Sequence, residues 1–482
     1  MNIRNIFYIL GSFLFCLGLT MLIPLVCSLY YGDGDLKALG ISFVITALTG
    51  GLLYMLLKPD EDISLNHREG FVVVATGWFL AGFFGSLPYC IEGLLPTFTD
   101  AFFESISGFT TTGATVITNL DNVPHGILLW RSLTQWLGGM GIIVLSIAIL
   151  PLLGVGGMQL YKAELPSPVK DKLTPRVAET ARTLWIVYVI ISTIEFVLLL
   201  FGGMDVFNAL CHTFCTMATG GFSTSDASIA SFNSTYIDII LTAFMVIAGI
   251  NFTLHYGLIM GRFRFVYKNS ELRFYIGVIL IATIAVTLNV HHHVFDSIGQ
   301  SIRYSAFQVV SIMTTTGFTT DNFNNWPSLS KIILLILMFI GGSAGSTGGS
   351  IKCLRILLIL KHSYMELYRL VHPHAVTAVK LGKKIVYPET MASIWGFFIL
   401  YLAVTVVATI AMTLLGLDVM TAFSSVAATI GNVGPGFGMV NAASTYSEIP
   451  FLGKWILAFC MLAGRLEIYT VIILLIPEFW KK

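Results

Sequence analysis

The chain has 482 residues, of which 56% are hydrophobic and 11% are charged, and its formal net charge is +1. Soluble globular domains carry about 25% charged residues, so the composition excludes that class. Apolar runs of about twenty residues recur along the chain, and each is long enough to cross the hydrocarbon core of a bilayer as a helix. We therefore predict an all-α integral membrane protein with many spans.

The chain opens with two apolar segments, residues 6–30 and 36–57, joined by a turn that contains Gly32, Asp33 and Gly34. No Ala-x-Ala-like cleavage site follows the first segment, so we expect a retained helix rather than a signal peptide. Residues 1–66 are thus predicted to form two N-terminal transmembrane helices.

Four units of similar design follow these helices. Each unit has an apolar span, a shorter apolar stretch that ends in Thr/Gly-rich sequence, and a second apolar span. The predicted units are residues 67–158, 159–268, 269–384 and 385–482. The paired spans are predicted at 71–92 and 127–153, 184–201 and 236–260, 274–290 and a run from 332, and 391–415 and 451–476.

The shorter stretches repeat one pattern: FESISGFTTTG, LCHTFCTMATG, FQVVSIMTTTG and SSVAATIGNVG, which end at Gly113, Gly220, Gly317 and Gly434. Their apolar parts are too short to cross a bilayer, so we predict re-entrant hairpins. Non-helical backbone at membrane depth is tolerated only inside protein or beside water. Four such hairpins therefore predict a common axis with water along it.

The charge distribution predicts the orientation. Most Lys and Arg residues share one side if the N-terminus is cytoplasmic, in line with the positive-inside rule, so we expect cytoplasmic termini and hairpins that open outwards. Acidic residues dominate the outer side, which predicts a mouth that concentrates cations; ordinary topology bias is the alternative. These acidic residues are Asp33, Asp35, Glu92, Asp100, Glu104, Asp121, Asp205, Asp226, Asp238, Asp296, Asp321, Asp418 and Glu448.

The Thr/Gly-rich hairpin ends suit a dehydrated cation. Glycine presents its carbonyl in backbone conformations that other residues avoid, and rings of carbonyl oxygens can replace the hydration shell of K⁺. One TTTG would equally fit a turn or a helix C-cap, but four copies in matching contexts predict an ion selectivity filter. The predicted filter residues are Thr110, Thr111, Thr112, Gly113, Ala218, Thr219, Gly220, Thr314, Thr315, Thr316, Gly317, Asn432, Val433 and Gly434. K⁺ is predicted at the main-chain carbonyls of Thr111, Thr112, Thr219, Thr315, Thr316 and Val433.

A second motif interrupts the last apolar run of unit 3. Residues 341–349 are rich in glycine, and each glycine costs about 1 kcal/mol in a helix interior. We therefore predict that these residues form a loop at mid-membrane, which lies across the pore below the filter. A small-residue surface for helix packing is the alternative. The predicted loop residues are Gly341, Gly342, Ser343, Ala344, Gly345, Ser346, Thr347, Gly348 and Gly349.

Two basic residues, Arg465 and Lys352, lie within or next to the apolar spans. Arg465 lies inside the last span, and an intramembrane arginine usually faces the bundle interior or a water-filled cavity. Pairing with Glu467 or snorkelling to the cytoplasmic face is the alternative for Arg465. Lys352, just after the loop, is a candidate for a similar electrostatic role. Glu195, in the middle of a span, is interpreted as hydrogen-bonded between helices rather than proton-carrying.

With these motifs the whole chain resembles the superfamily of K⁺ transporters that comprises the Trk, Ktr and plant HKT proteins, and within it the TrkH family. The resemblance implies two extra helices followed by four helix–pore loop–helix units in a pseudo-fourfold arrangement around one pore. It places the filter glycines at Gly113, Gly220, Gly317 and Gly434. Sodium-selective relatives carry serine at the first of these positions, so Gly113 favours K⁺, with Rb⁺ also accepted.

The resemblance also implies a gate and partners. The loop GGSAGSTGG matches the intramembrane gating loop of the family, with Ser350 where the family commonly has a further glycine. The family counterpart of Arg465 lies beside this loop and opposes cation passage when the gate is closed. A homodimer is implied, together with a cytosolic TrkA-like ring subunit that binds ATP/ADP or NAD and for which the basic cytoplasmic loops are candidate docking surfaces.

Other functional classes find little support. The sequence has no GxGxxG after a strand and no GxxxxGK[ST], so we expect no nucleotide to bind this chain. Acidic residues are dispersed rather than clustered, so we expect no enzyme. No nucleic-acid partner is expected, only membrane lipid and the protein partners above. The predicted function is gated, channel-like K⁺ uptake across the bacterial inner membrane; a Na⁺- or H⁺-coupled K⁺ symporter of the same fold remains open.

Overall fold

The computed structural model describes residues 1–59, 66–148, 173–375, 377–382 and 384–481, and helices dominate these ranges. The predicted all-α fold class is confirmed. A hairpin of two short antiparallel strands, β1 Lys380–Leu381 and β2 Lys384–Ile385, is a minor addition. The α-helices are α1 Ile3–Thr20, α2 Leu22–Tyr31, α3 Leu36–Leu56, α4 His67–Gly85, α5 Leu87–Glu92, α6 Phe98–Phe109, α7 His125–Ala148, α8 Leu173–Phe201, α9 Val206–Met217, α10 Thr235–Ala248, α11 Phe252–Ile259, α12 Phe263–Tyr267, α13 Ser270–Val290, α14 Ile298–Met313, α15 Ser328–Leu337, α16 Cys353–Val371, α17 Pro388–Leu414, α18 Val419–Ile430, α19 Phe451–Arg465, α20 Tyr469–Ile472 and α21 Pro477–Trp480.

The long apolar helices make this a multi-pass membrane protein. In the described part of the chain, six helical stretches are long and apolar enough to span a membrane, and two bent pairs would raise that number to eight. The six agree with predicted spans of the N-terminal pair and of all four units. They are Ile3–Tyr31, Leu36–Leu56, Arg68–Glu92, Glu179–Phe201, Ser270–Val290 and Pro388–Leu414.

Two spans that were predicted to be continuous helices are broken, so this part of the prediction is wrong. The predicted span 236–260 bends by 101° between α10 and α11, and the predicted span 451–476 bends by 115° after α19. At the first bend the side chain of Asn251 accepts a hydrogen bond from the Thr253 N–H and starts a new helix. At the second bend Glu467 and Ile468 have positive φ angles of 58° and 49°, which a continuous helix excludes.

Part of the connection between units 1 and 2 cannot be compared with the predictions. The second span of unit 1 is present as α7, His125–Ala148. Residues 149–153 of that span, the predicted boundary between units 1 and 2, and the basic residues Lys162, Lys170 and Lys172 lie outside the described residues.

The predicted hairpins contain four short helices, α6, α9, α14 and α18. N-capping side chains stabilise three of these helices: Thr97, Asp205 and Asp418 each accept a hydrogen bond from a main-chain N–H in the first turn. Most of their residues are buried, and the two largest apolar clusters surround these helices. Each helix ends inside the protein, where Thr/Gly-rich backbone follows.

Candidate functional site

Each short helix is followed by a segment with the same backbone conformation. We call these segments the Thr/Gly segments, and they are residues 110–113, 218–221, 314–317 and 431–434. In each segment the main-chain N–H of the third residue bonds back to a carbonyl of the helix, at distances between 2.7 and 2.9 Å. The pairs, donor first, are Thr112–Ser107, Gly220–Cys215, Thr316–Ser311 and Val433–Ala428. The residues before these donors have φ between 52° and 62°, and they are Thr111, Thr219, Thr315 and Asn432.

This register corrects one predicted equivalence. The residues after the donors also have positive φ, and they are Gly113 (80°), Gly221 (76°), Gly317 (81°) and Gly434 (97°). The position equivalent to Gly113 in the second segment is therefore Gly221, whereas the sequence repeat had placed Gly220 there. The run Thr219-Gly220-Gly221 contains two adjacent glycines, so a glycine count alone cannot decide which of them adopts the left-handed conformation.

The four Thr/Gly segments contact one another in chain order and close into a ring. A Cβ atom at any of these four glycines would overlap a main-chain carbonyl oxygen of the next segment, and the fourth segment contacts the first. The contacts, glycine first, are Gly113–Gly220, Gly221–Thr316, Gly317–Val433 and Gly434–Thr112. Glycine is thus required both by φ and by the close approach of the neighbouring backbone.

The six carbonyl groups that the sequence predicted as cation ligands have no hydrogen-bond donor among the residues that the structure describes. Within the described ranges, none of their oxygens accepts a hydrogen bond from the protein, and their residues are at most 1% exposed. They belong to Thr111, Thr112, Thr219, Thr315, Thr316 and Val433. Buried carbonyl oxygens are normally hydrogen-bonded, so this concentration of free oxygens on one ring fits the coordination of a cation.

Polar side chains support the ring from outside. The hydroxyl groups of Thr110 and Thr112 are 2.8 Å apart, as are those of Thr314 and Thr316. Asn432 Nδ2 donates to Thr112 Oγ1 at 2.9 Å, which links the fourth segment to the first.

A cavity of about 730 Å³ lies on the side of the ring that carries Gly113, Gly317 and Gly434. Asp226, Glu448 and Arg131 are among its lining residues. Several of the acidic residues that were predicted to attract cations are bonded to other residues of the protein. The ion pairs are Asp100–Lys454 (2.5 Å), Glu104–Arg131 (2.6 Å) and Asp238–Arg303 (2.6 Å). Asp33 Oδ2 lies 2.5 Å from His125 Nδ1, and Asp205 and Asp418 cap the N-termini of helices.

The glycine-rich loop, residues 341–349, is non-helical as predicted and separates α15 from α16. Its first half is bonded to the bend between α10 and α11, since Ser343 N–H donates to Gly249 at 2.8 Å and Gly345 accepts from Phe252 at 3.1 Å. Its last residue, Gly349, donates its N–H to Thr315 Oγ1 at 2.7 Å. The loop therefore directly adjoins the ring of Thr/Gly segments.

Both predicted basic residues contact this loop. Arg465 is 2% exposed, and its Nη1 donates to the Thr347 carbonyl at 2.6 Å while its Nη2 donates to Gly138 at 3.2 Å. Lys352 Nζ donates to the Gly348 carbonyl. The alternative pairing of Arg465 with Glu467 is wrong, because Glu467 forms an ion pair with Arg355.

Sequence reasoning assigned no role to two polar side chains that contact residues of the ring or next to it. Arg131 pairs with Glu104 and also donates from Nη1 to the Ser223 carbonyl at 2.8 Å. Gln135, one turn further along α7, bonds to the second Thr/Gly segment. Arg131 and Gln135 lie in an otherwise apolar span. The same feature led to the prediction for Arg465, so it could also have identified these two residues.

Glu195 is fully buried in α8 and faces Thr216 of α9. Among the described residues, neither of its carboxyl oxygens has a well-formed hydrogen bond. The predicted interhelical hydrogen bond is therefore not formed with good geometry.

Long apolar helices around four short helices, a ring of free carbonyl oxygens and an adjoining loop define a polytopic membrane transporter rather than an enzyme. A sequence model of the TrkH family, described as a cation transport protein, matches residues 36–482. The chain belongs to the TrkH family.

Individual relatives agree over the full length of the chain. It is 46% identical over 486 residues to the Trk system potassium uptake protein TrkH of Escherichia coli K12, and 44% identical over 491 residues to TrkH of Halomonas elongata. These alignments cover 100% of this chain and 100% of each relative. The crystal structure of the potassium transporter TrkH from Vibrio parahaemolyticus matches with a TM-score of 0.92 and 41% identity, and the match covers 100% of both chains.

Proposed function

We propose that this chain mediates potassium uptake across a bacterial inner membrane through a gated, channel-like pore. The ring of buried carbonyl oxygens without protein partners carries this proposal, because such oxygens can replace the water around a dehydrated cation. The relatives named above are potassium uptake proteins, which favours K⁺ among the cations.

The ring offers two layers of oxygen ligands. One layer consists of the main-chain carbonyl oxygens of the residues with positive φ that directly precede the N–H donors of the Thr/Gly segments. It includes Thr111, Thr219 and Thr315. The next layer includes Thr112, Thr316 and Val433. The short helices end beside these layers, so the negative ends of their dipoles stabilise a cation there. A pseudo-fourfold axis through the ring would relate the ligands within each layer.

The glycine-rich loop acts as the gate in this proposal. It adjoins the ring at Gly349 and is bonded to Arg465, whose buried positive charge repels a cation that approaches the loop. Flow requires that the loop moves away and that Arg465 loses its contact with Thr347. Deletion of residues 343–348 is expected to give uptake that no longer depends on a regulatory partner.

We further propose the partners and the orientation. Both termini lie in the cytoplasm, where basic loops meet a ring-shaped TrkA-like subunit that binds ATP/ADP or NAD, and two copies of the chain form a dimer. The relatives' names place them in a Trk system, which supports a partner subunit. This chain itself supplies the pore and binds no nucleotide.

The direct test is uptake of radioactive Rb⁺ into proteoliposomes that contain the purified protein, with and without the cytosolic partner. We expect uptake that K⁺ blocks and Na⁺ barely affects. Equal block by K⁺ and Na⁺ would contradict the assignment of the ring as a K⁺ filter.

One observation favours a second candidate, an H⁺-coupled K⁺ symporter. Glu195 is a fully buried carboxyl group beside α9, and it lacks a well-formed hydrogen bond among the described residues. A carboxyl group in such a place is a candidate proton carrier. Proton movement at a fixed ratio to Rb⁺, abolished by Glu195→Gln, would favour this candidate; Rb⁺ uptake without proton movement would reject it.

A further inference from the structure

The second Thr/Gly segment lacks the threonine hydroxyl groups that support the first and third segments. In the first and third segments a pair of threonine hydroxyl groups lies behind the ring, Thr110 with Thr112 and Thr314 with Thr316. The corresponding residues of the second segment are Ala218 and Gly220, which have no hydroxyl group.

This segment also has two adjacent glycines, Gly220 and Gly221. Glycine samples more backbone conformations than any other residue. A filter that discriminates between cations needs fixed oxygen positions, so the second segment requires support from elsewhere.

Gln135 of α7 provides that support. Its Nε2 donates a hydrogen bond of 2.7 Å to the Gly220 carbonyl, and its Oε1 accepts one of 3.1 Å from the Phe222 N–H. A donor faces a carbonyl and an acceptor faces an N–H, so only this orientation of the amide satisfies both bonds. The side chain is fully buried.

The amide of Gln135 also occupies the space of a missing side chain. A Cβ atom at Gly220 would overlap the carboxamide atoms of Gln135. The glutamine thus stands where Thr112 and Thr316 place their own side chains in the other segments.

We propose that Gln135 is a positioning residue that determines the cation specificity of the ring by holding the Gly220–Phe222 backbone in place. This inference rests on the proposed role of the ring as a K⁺ filter. Because the Gly220 carbonyl is bonded to Gln135, the second segment contributes to coordination chiefly through Thr219, and the ring is chemically asymmetric.

The test replaces the amide by an apolar chain of similar length and measures the ratio of Rb⁺ to Na⁺ uptake in proteoliposomes. Gln135→Met is expected to lower this ratio about tenfold, the effect of losing roughly 1.4 kcal/mol of discrimination. Gln308→Met is the matched control, because Gln308 is a fully buried glutamine of α14 whose amide has no hydrogen-bond partner among the described residues. The control is expected to keep the wild-type ratio.

A compensating pair separates positioning from a general packing defect. Gly220→Thr alone is expected to lose selectivity because its side chain collides with Gln135, whereas Gln135→Ala together with Gly220→Thr is expected to regain most of it. If Gln135→Met does not fold, Gln135→Leu takes its place, because it also removes both the donor to the Gly220 carbonyl and the acceptor for the Phe222 N–H, and the same drop in the uptake ratio is expected.

The outcomes distinguish this inference from the proposed function. A selective wild type with an unchanged ratio in Gln135→Met or Gln135→Leu would overturn the role of Gln135 alone, as would a double variant no better than Gln135→Ala. Equal Rb⁺ and Na⁺ uptake by the wild type would overturn the filter itself, and the role of Gln135 with it.

Discussion

Gly349 and Thr315 join the glycine-rich loop to the ring: the main-chain N–H of Gly349 donates a hydrogen bond of 2.7 Å to Thr315 Oγ1. Ser350, the next residue, places its Oγ 3.1 Å from the Gly431 carbonyl at the start of the fourth Thr/Gly segment. The proposed gate and the proposed filter are therefore bonded to each other, so movement of the loop has to break contacts made by the filter itself.

Removal of the Thr315 hydroxyl tests this coupling. Thr315→Val keeps the shape of the side chain but leaves the Gly349 N–H without its acceptor, so the closed loop loses about 1 kcal/mol, or roughly fivefold in its population relative to open forms. Rb⁺ uptake without the cytosolic partner is expected to rise by a similar factor. Thr111→Val is the matched control, because Thr111 has the equivalent position in the first segment and its hydroxyl group has no hydrogen-bond partner within the described ranges. Equal uptake by the two variants would contradict the coupling.

Ser350 permits a second test at the same junction. It has a φ of 53°, a conformation that costs a non-glycine residue about 1 kcal/mol, and its hydroxyl group lies 2.5 Å from the Met338 carbonyl. Ser350→Ala keeps the strain and loses the bond, whereas Ser350→Gly loses both. Partner-independent Rb⁺ uptake is therefore expected to be highest in the alanine variant. Ser343→Ala, which removes a loop hydroxyl group that is unpartnered among the described residues, is expected to behave like the wild type. A glycine variant more active than the alanine variant would disprove this ranking.

The architecture was largely predictable because each unit repeats the same composition. The long apolar runs predicted the spans, and the short apolar run before each Thr/Gly-rich stretch predicted a hairpin. The glycine-rich run 341–349 set the break before α16. These signals are local, and they depend on helix length and on the cost of glycine in a helix.

The remaining features depend on contacts between distant residues. The register of the second segment is decided by the bond from Gly220 to Cys215 and by the approach of Gly221 to Thr316, which two adjacent glycines do not reveal. The bend after α19 arises where Glu467 bonds to Arg355, a residue that lies 112 positions away. The acidic residues that were predicted on the outer side are divided between bonds to other residues and the cavity, and the sequence does not show which partner each of them contacts.

The buried ion pair of Glu104 and Arg131 predicts a large effect on stability. Both side chains are at most 2% exposed, and Arg131 also lies over the ring of Phe222 at 3.7 Å. Arg131→Met leaves Glu104 buried without its cation, which costs about 3–5 kcal/mol. Thermal unfolding in detergent is expected to begin at a clearly lower temperature, and Glu104→Gln with Arg131→Met is expected to recover part of the loss. A single variant as stable as the wild type would contradict this assignment.

Gly113 carries the last prediction, which concerns ion selectivity. Its φ of 80° and the carbonyl of Gly220 beside it leave no room for a side chain, so Gly113→Ser displaces that carbonyl and changes the spacing of the ring. Rb⁺ uptake is expected to become sensitive to Na⁺, and competition by Na⁺ measures this change. Gly93→Ser is the matched control, because Gly93 has a similar φ of 74° but has nothing within 4 Å of an added Cβ. Both variants carry the backbone strain of serine at positive φ, and only Gly113→Ser disturbs the ring. Uptake that resists Na⁺ equally in both variants would show that the glycine ring does not set selectivity.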